Sequence, residues 1–300
     1  MRASLAAALV IVLVTGCGSS KGGSQRGASK PGTLDAIWRQ AGPAVALVPG
    51  TSDYAPGDIR ISFLVVDDQG RVIERPRARF WIASGRDAKP FAETTAILEP
   101  IGVADAVTDT GDVKNLYVAH VRVPKPGHYW VVARPVGGRP IGGLRDLEVK
   151  PQSAAPALGA KAYPTRTPTL ATAPAARLTT RRPPDRGLLR YSVASSLAAH
   201  RPFVLVFATP RFCESRTCGP VVDVVDAARR RFAGRGVRFI HVEIYQDNNP
   251  AKGRNRWVKE WQLPSEPWTF LVGADGQIKA KFEGSVSLSE LSAAIRSHLT

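Results

Sequence analysis

Two cysteines, Cys213 and Cys218, are the residues of this 300-residue chain whose type and spacing point most directly to chemistry. They bracket the stretch Cys213-Glu214-Ser215-Arg216-Thr217-Cys218. After Cys218-Gly219-Pro220, Val221, Val222, Val225, Ala228 and Phe232 recur at helical spacing, with Asp223, Asp226, Arg229 and Arg230 on the other face. This pattern predicts a helix over 219–233, stopped by Gly234 and Gly236, with Cys218 at its N-terminus. Unpaired backbone N–H groups and the helix dipole favour a thiolate there. Arg211 and Arg216 are close in sequence and add to that field where they face the sulfur. A thiolate of this kind attacks a disulfide sulfur.

The elements that must position such a thiol follow in order. Residues 191–200 read as a short helix. The run FVLVFA (203–208) is continuously apolar, as expected of a strand buried on both faces. After the helix that starts at Cys218 come a strand over 237–245, a short helix over 255–261, a strand over 268–272, an Asp275-Gly276 hairpin turn with its partner strand 277–282, and an amphipathic helix over 288–299.

Over 188–300 the chain resembles the thioredoxin superfamily. Three features in register carry the resemblance: a buried strand leading to Cys218-Gly219-Pro220 and a helix, the stretch Glu266-Pro267-Trp268-Thr269-Phe270, and the Asp-Gly hairpin with its terminal helix. The resemblance implies an α/β thioredoxin-like domain, with Pro267 as the cis-proline that faces the redox cysteine. It also implies thiol–disulfide exchange, with Cys218 attacking and a second cysteine resolving. There are departures. Val221 stands where thioredoxins have their second cysteine, so Cys213 is the candidate resolving thiol and the partner in a Cys213–Cys218 disulfide. Thr217 replaces the usual tryptophan, and FVLVFA lacks the buried carboxylate of thioredoxins, so a proton acceptor must come from elsewhere.

Four readings stay open at this stage. The first is a thiol–disulfide oxidoreductase. The second is a binding or structural protein with a static Cys213–Cys218 disulfide. The third is a thiol peroxidase: Thr209-Pro210 before a CxxxxC is similar to one peroxiredoxin subgroup, although Thr209 is four residues before Cys213 rather than three. The fourth is a copper-handling protein similar to the copper chaperones of cytochrome oxidase assembly, with His241 as the distant ligand and a different cysteine spacing.

The start of the chain addresses it elsewhere. Met1-Arg2 and the ten-residue apolar run LAAALVIVLV form an export signal, too short to span a bilayer comfortably. Val14-Thr15-Gly16-Cys17 resembles the bacterial lipobox. That implies a signal peptide over 1–16, cleavage before Cys17, acylation of Cys17, and an extracytoplasmic protein held on the cell membrane by lipid. The remaining cysteines would then lie where disulfides persist. Residues 17–42, rich in Gly and Ser at first, are expected to be a flexible tether.

Residues 43–150 alternate as short strands: 59–66, 72–73, 78–83, 117–123, 128–133 and 144–149, with turns at Asp67-Asp68-Gln69-Gly70 and Pro124-Lys125-Pro126-Gly127. The pattern argues for an antiparallel β-sandwich and is similar to immunoglobulin-like modules, without their cysteine pair. Residues 151–187 carry seven prolines up to Pro184 and a basic excess, and read as an extended linker. The net charge of +16 is spread as +4, +1, +5 and +6 over 1–42, 43–150, 151–187 and 188–300. It collects in tails and linker rather than on one face, which argues against a nucleic-acid binder and fits some attraction to anionic lipid. His120 and His128 lack a second ligand at metal spacing, and no phosphate loop or Ser/His/Asp set is assembled, so no metal or cofactor is expected. Trp257 and Trp261 read as packing, and Arg229-Arg230-Arg231 as a solvated helix end.

Overall fold

The computed structural model describes residues 29–41, 44–107, 113–212 and 219–300. Seven strands come first: β1 (Ala44–Pro49), β2 (Gly57–Val66), β3 (Arg77–Ala83), β4 (Ala92–Pro100), β5 (Asn115–Val123), β6 (Gly127–Pro135) and β7 (Gly142–Val149). They close into a barrel in the order β1-β2-β5-β4-β3-β6-β7. Every neighbouring pair is antiparallel except β1–β7, which meets in parallel at Ala44–Gly142 and Val45–Gly143. The expectation of two facing sheets is thus met by one ring of strands. Alternate residues fill it: Ile59, Ile61, Phe63 and Val65 from β2, Phe80 and Ile82 from β3, and Tyr117, Ala119 and Val121 from β5. Phe63 stacks on both Phe80 and Tyr117, with centroids 5.7 and 5.4 Å apart. β4 was not expected from the sequence, because of its residues only Ala96 is buried and its alternation is mostly between polar types. His120 and His128 lie on the exposed side.

The tether expected over 17–42 ends in a helix, α1 (Leu34–Arg39), capped by the Thr33 hydroxyl, which accepts from Ala36 N–H. It docks on the barrel: Leu34 and Asp35 N–H donate to the Ala88 and Arg86 carbonyls, and Trp38 Nε1 donates to the Gly142 carbonyl. Leu34 and Ala36 need burial, and the outer face of β3 and β6 at Trp81, Ala83 and Val132 supplies it.

The second sheet has β8 (Phe203–Phe207), β9 (Arg238–Val242), β10 (Trp268–Val272) and β11 (Ile278–Glu283), in the order β11-β10-β8-β9. Only β8 and β9 are parallel, joined by α4 (Gly219–Arg231). Phe203, Leu205 and Phe207 point into one apolar layer with Trp261 and Phe270, while Val204 and Val206 point into another with α4 and α6 (Leu288–His298). The succession of helices and strands over 191–299 is the one expected from the sequence.

Residues 151–187, read as an extended linker, lie along the second unit. Residues 159–162 pair along β11, with Gly159 N–H to Ile278 O, Ile278 N–H to Ala160 O and Ala162 N–H to Gly276 O. The stretch then runs under two short helices, α3 (Val193–Ala198) and α5 (Arg256–Glu260), between the strands of this unit. Trp261 Nε1 donates to Thr165 Oγ1, and Trp257 Nε1 to the Arg166 carbonyl. Proline and threonine lose little freedom on ordering, so a few hydroxyl and tryptophan contacts hold the stretch down. A single-turn helix, α2 (Ala175–Leu178), lies within it. Arg229 and Arg230, expected to be solvated, both clamp Asp226, and reach Asp185 and the barrel's Asp105.

The α1 junction makes a pH prediction. Burial opposes ionisation of Asp35, but hydrogen bonds from Ser29, Arg39 and Arg86 outweigh it and hold its carboxyl well below the usual 3.8. A depressed folded value means that its contribution is present above the unfolded value and is lost as pH falls through the folded one. Asp35→Asn is therefore expected to lower stability at neutral pH and to flatten the loss below about pH 4. Parallel acid-unfolding curves for the variant and the wild type would contradict this.

Candidate functional site

Strand pairing brings four chain segments to one end of the second sheet. Trp268 pairs with Glu283 on one side and Phe207 on the other, and Phe207 pairs with Val242. β8, β9 and β11 leave the sheet at this row, and β10 enters it. Residues 208–212, 243–245, 265–267 and 284–286 therefore lie side by side at this end. The first of them leads into the cysteine stretch. Cys213 and Cys218 themselves, like Cys17, lie outside the described residues. α4 starts one residue after Cys218.

Pro267 is buried beside Trp268, and its carbonyl accepts from Gly284 N–H at 2.9 Å. The Glu266–Pro267 peptide is cis, as is Arg182–Pro183. Thr209, fully buried, follows β8, and Arg211 places its guanidinium over the Phe212 ring at 5.5 Å.

The floor of this end comes from the stretch that reads as a linker. Thr180 donates its N–H and its hydroxyl to Glu243 Oε1, and its hydroxyl oxygen accepts from Arg211 N–H at 3.2 Å. Next to it, Arg181 pairs with Asp223 on the second turn of α4, Nε to Oδ1 at 2.8 Å, and donates to the Pro183 carbonyl at 2.7 Å. Arg181 is 7% exposed and Asp223 1%. The pair thus ties 179–183 to the first turns of the helix behind Cys218.

Glu243 is a buried carboxylate at this end that sequence reasoning missed. The acid looked for in β8 is absent, but the next strand over delivers one at its exit, on the α4 side of the sheet. Glu243 is 4% exposed, and its Oε2 has no hydrogen-bond partner among the described residues. Its signal in the sequence is a carboxylate two residues after His241 in the otherwise apolar run FIHVEIY. His241 is buried on the same alternation and is occupied by the Ala208 carbonyl, 2.9 Å from Nε2. Among the described residues no group of three His, Cys, Asp or Glu side chains could hold a metal ion.

Removing one partner of a buried ion pair leaves the other charge uncompensated. Asp223→Ala is expected to cost about 3 kcal/mol, since Arg181 would stay buried with its guanidinium unpaired. Urea unfolding measures it, and a change under roughly 1 kcal/mol would mean that the guanidinium escapes to water.

No protein-family model matches the chain, and no curated protein does. Among solved structures the chain is similar to a thiol:disulfide interchange protein, a thioredoxin family protein from Chlorobium tepidum TLS, at 14% identity and a TM-score of 0.29. The match covers 47% of this chain and 100% of that one.

Proposed function

We propose that this chain is an exported, lipid-anchored protein whose thioredoxin-like region carries out thiol–disulfide exchange through Cys218 and Cys213. The observation that supports it most is the sheet end: the segment entering the cysteine stretch, the start of α4 and the Pro267 loop converge there. In this reading the Cys218 thiolate attacks one sulfur of a substrate disulfide, that S–S bond breaks, and the departing thiolate takes a proton. Cys213 then attacks the mixed disulfide, which frees the second substrate thiol and leaves a Cys213–Cys218 disulfide, so two electrons pass to the substrate. Run backwards, the same steps oxidise a dithiol. Glu243 is the proton-exchanging carboxylate, and Pro267 borders the sulfur.

The rest of the chain fits an extracytoplasmic setting. Cys17 carries the acyl anchor, and no helix among the described residues is long and apolar enough to cross a membrane. The barrel is read as an immunoglobulin-like module on the alternation and turns of residues 43–150, with its strands joined in one ring. Exported protein thiols or disulfides are the substrates, with a separate redox partner to recycle the pair.

Thiol trapping tests the exchange reading. Cys213→Ser is expected to accumulate a mixed disulfide through Cys218, because nothing resolves it, and Cys218→Ser is expected to trap nothing. Pro267→Thr should slow release of the mixed disulfide. Equal loss of stability in both cysteine variants, of about 3 kcal/mol or less for so short a loop, with no trapped partner, would mean a static disulfide instead. Greater reactivity of Cys213 towards peroxide would favour a peroxidase.

Fractionation tests the anchor. Cys17→Ser is expected to block processing or release the chain from membranes. An unmodified Cys17 with unchanged membrane association would end that part of the proposal.

A further inference from the structure

The barrel meets the thioredoxin-like unit at its functional end. Glu283 closes β11, in the same row as Trp268, and is 9% exposed. Its carboxylate accepts four hydrogen bonds. Three come from the barrel loop after β1: Ser52 N–H at 2.7 Å, Ser52 Oγ at 2.8 Å and Asp53 N–H at 2.8 Å. The fourth comes from Ser265 Oγ at 2.6 Å, two residues before Pro267. Ser265 Oγ in turn accepts from Trp268 Nε1 at 3.1 Å, so both ends of the 265–268 turn are tied to this one carboxylate.

The next residues complete the grip. Gly284 donates its N–H to the Pro267 carbonyl and has φ +71°. A Cβ built on it would lie 2.2 Å from the Gly50 carbonyl oxygen, so the barrel loop presses directly on the strap behind Pro267. Arg60 of β2 donates to the Ser285 carbonyl at 2.9 Å and forks onto Glu290 at 2.8 and 3.0 Å. Glu290 also closes the capping box of α6 with Ser287. On the other side of the same loop, Asp53 accepts from Ala154 and Ala155 N–H. A loop that served only as a spacer would not need so many directional contacts, and carboxylate–amide bonds are among the stronger hydrogen bonds a protein makes.

We infer that Glu283 is a positioning residue through which the barrel loop 50–53 sets the place of the 265–267 loop, so that the barrel forms part of the wall of the exchange site. This rests on the thiol–disulfide reading for its consequence in rate, but not for the coupling itself. Loosening the wall matters to a bulky substrate that must fit against it. The field of α4 on Cys218 does not depend on it.

The test uses the full-length, detergent-solubilised chain. Glu283→Gln keeps the size and removes the charge. Gly284→Ala pushes the barrel loop away without touching a charge. In both variants amide hydrogen exchange at Trp268, and in Glu283→Gln also at Gly284, is expected to speed up by about tenfold or more, with β8 and β9 amides unchanged. With a disulfide-linked dimer of a decapeptide as substrate, KM is expected to rise about fivefold or more with kcat within about twofold. The pH profile of Cys218 alkylation by iodoacetamide should not move. Unchanged protection at Trp268 in both variants overturns the inference, as does a fall in kcat at constant KM or a displaced alkylation profile. A wild-type chain that exchanges no thiols would refute the proposed function alone, and the amide measurement would still decide the coupling.

Discussion

β8 is buried on both faces, and that constraint organises the unit around it. Five consecutive apolar residues can shed water only if layers cover them above and below, and their backbone groups must be bonded on both sides. β9 and β10 do the bonding, in parallel and antiparallel sense. α4 and α6 supply one cover, while Trp261, Phe270 and the 151–187 stretch supply the other. Once this strand is placed, its exit fixes where the chain enters the cysteine stretch, and its two neighbours bring Glu243 and Pro267 to the same end.

That end of the sheet is built from buried polar groups of several segments. Thr180 and Arg181 come from a stretch with few apolar residues, Glu243 from the exit of a strand, and Glu283 from the end of a hairpin. Each is buried, and each is held by directional bonds rather than by shape. A buried charge without partners is costly, so their arrangement leaves little freedom to the loops they hold.

Much of this was legible in the sequence, and the failures share a cause. β8, α4, β10, β11 and α6 could be read because periodicity reports burial by the element's own neighbours. The Glu266-Pro267 step was legible through resemblance. α1, β4 and the ordering of 151–187 were not. Asp35 and Trp38 in α1, and Thr165 and Thr180 in the connector, are fixed by hydrogen bonds to residues far along the chain, and polar residues that find distant partners look like loop, while β4 alternates mostly between polar types. The same holds for Glu243, whose role depends on which strand lies beside β8. The ring closure at β1 and β7 rests on two paired positions, too few to leave a pattern.

The pairing of 159–162 along β11 has a consequence for how the chain behaves among other chains. An outer strand with free N–H and C=O groups is a template for a stranger's strand. The connector covers part of that edge, at Ala160, Gly276 and Ile278, and leads into Pro164 and Pro168, which cannot extend a ladder. In the barrel, the first and last strands meet at Ala44–Gly142 and Val45–Gly143, so the seam is covered by pairing at that end. Along the β11 side, the second sheet therefore offers an incoming strand fewer free backbone groups than an uncovered edge would.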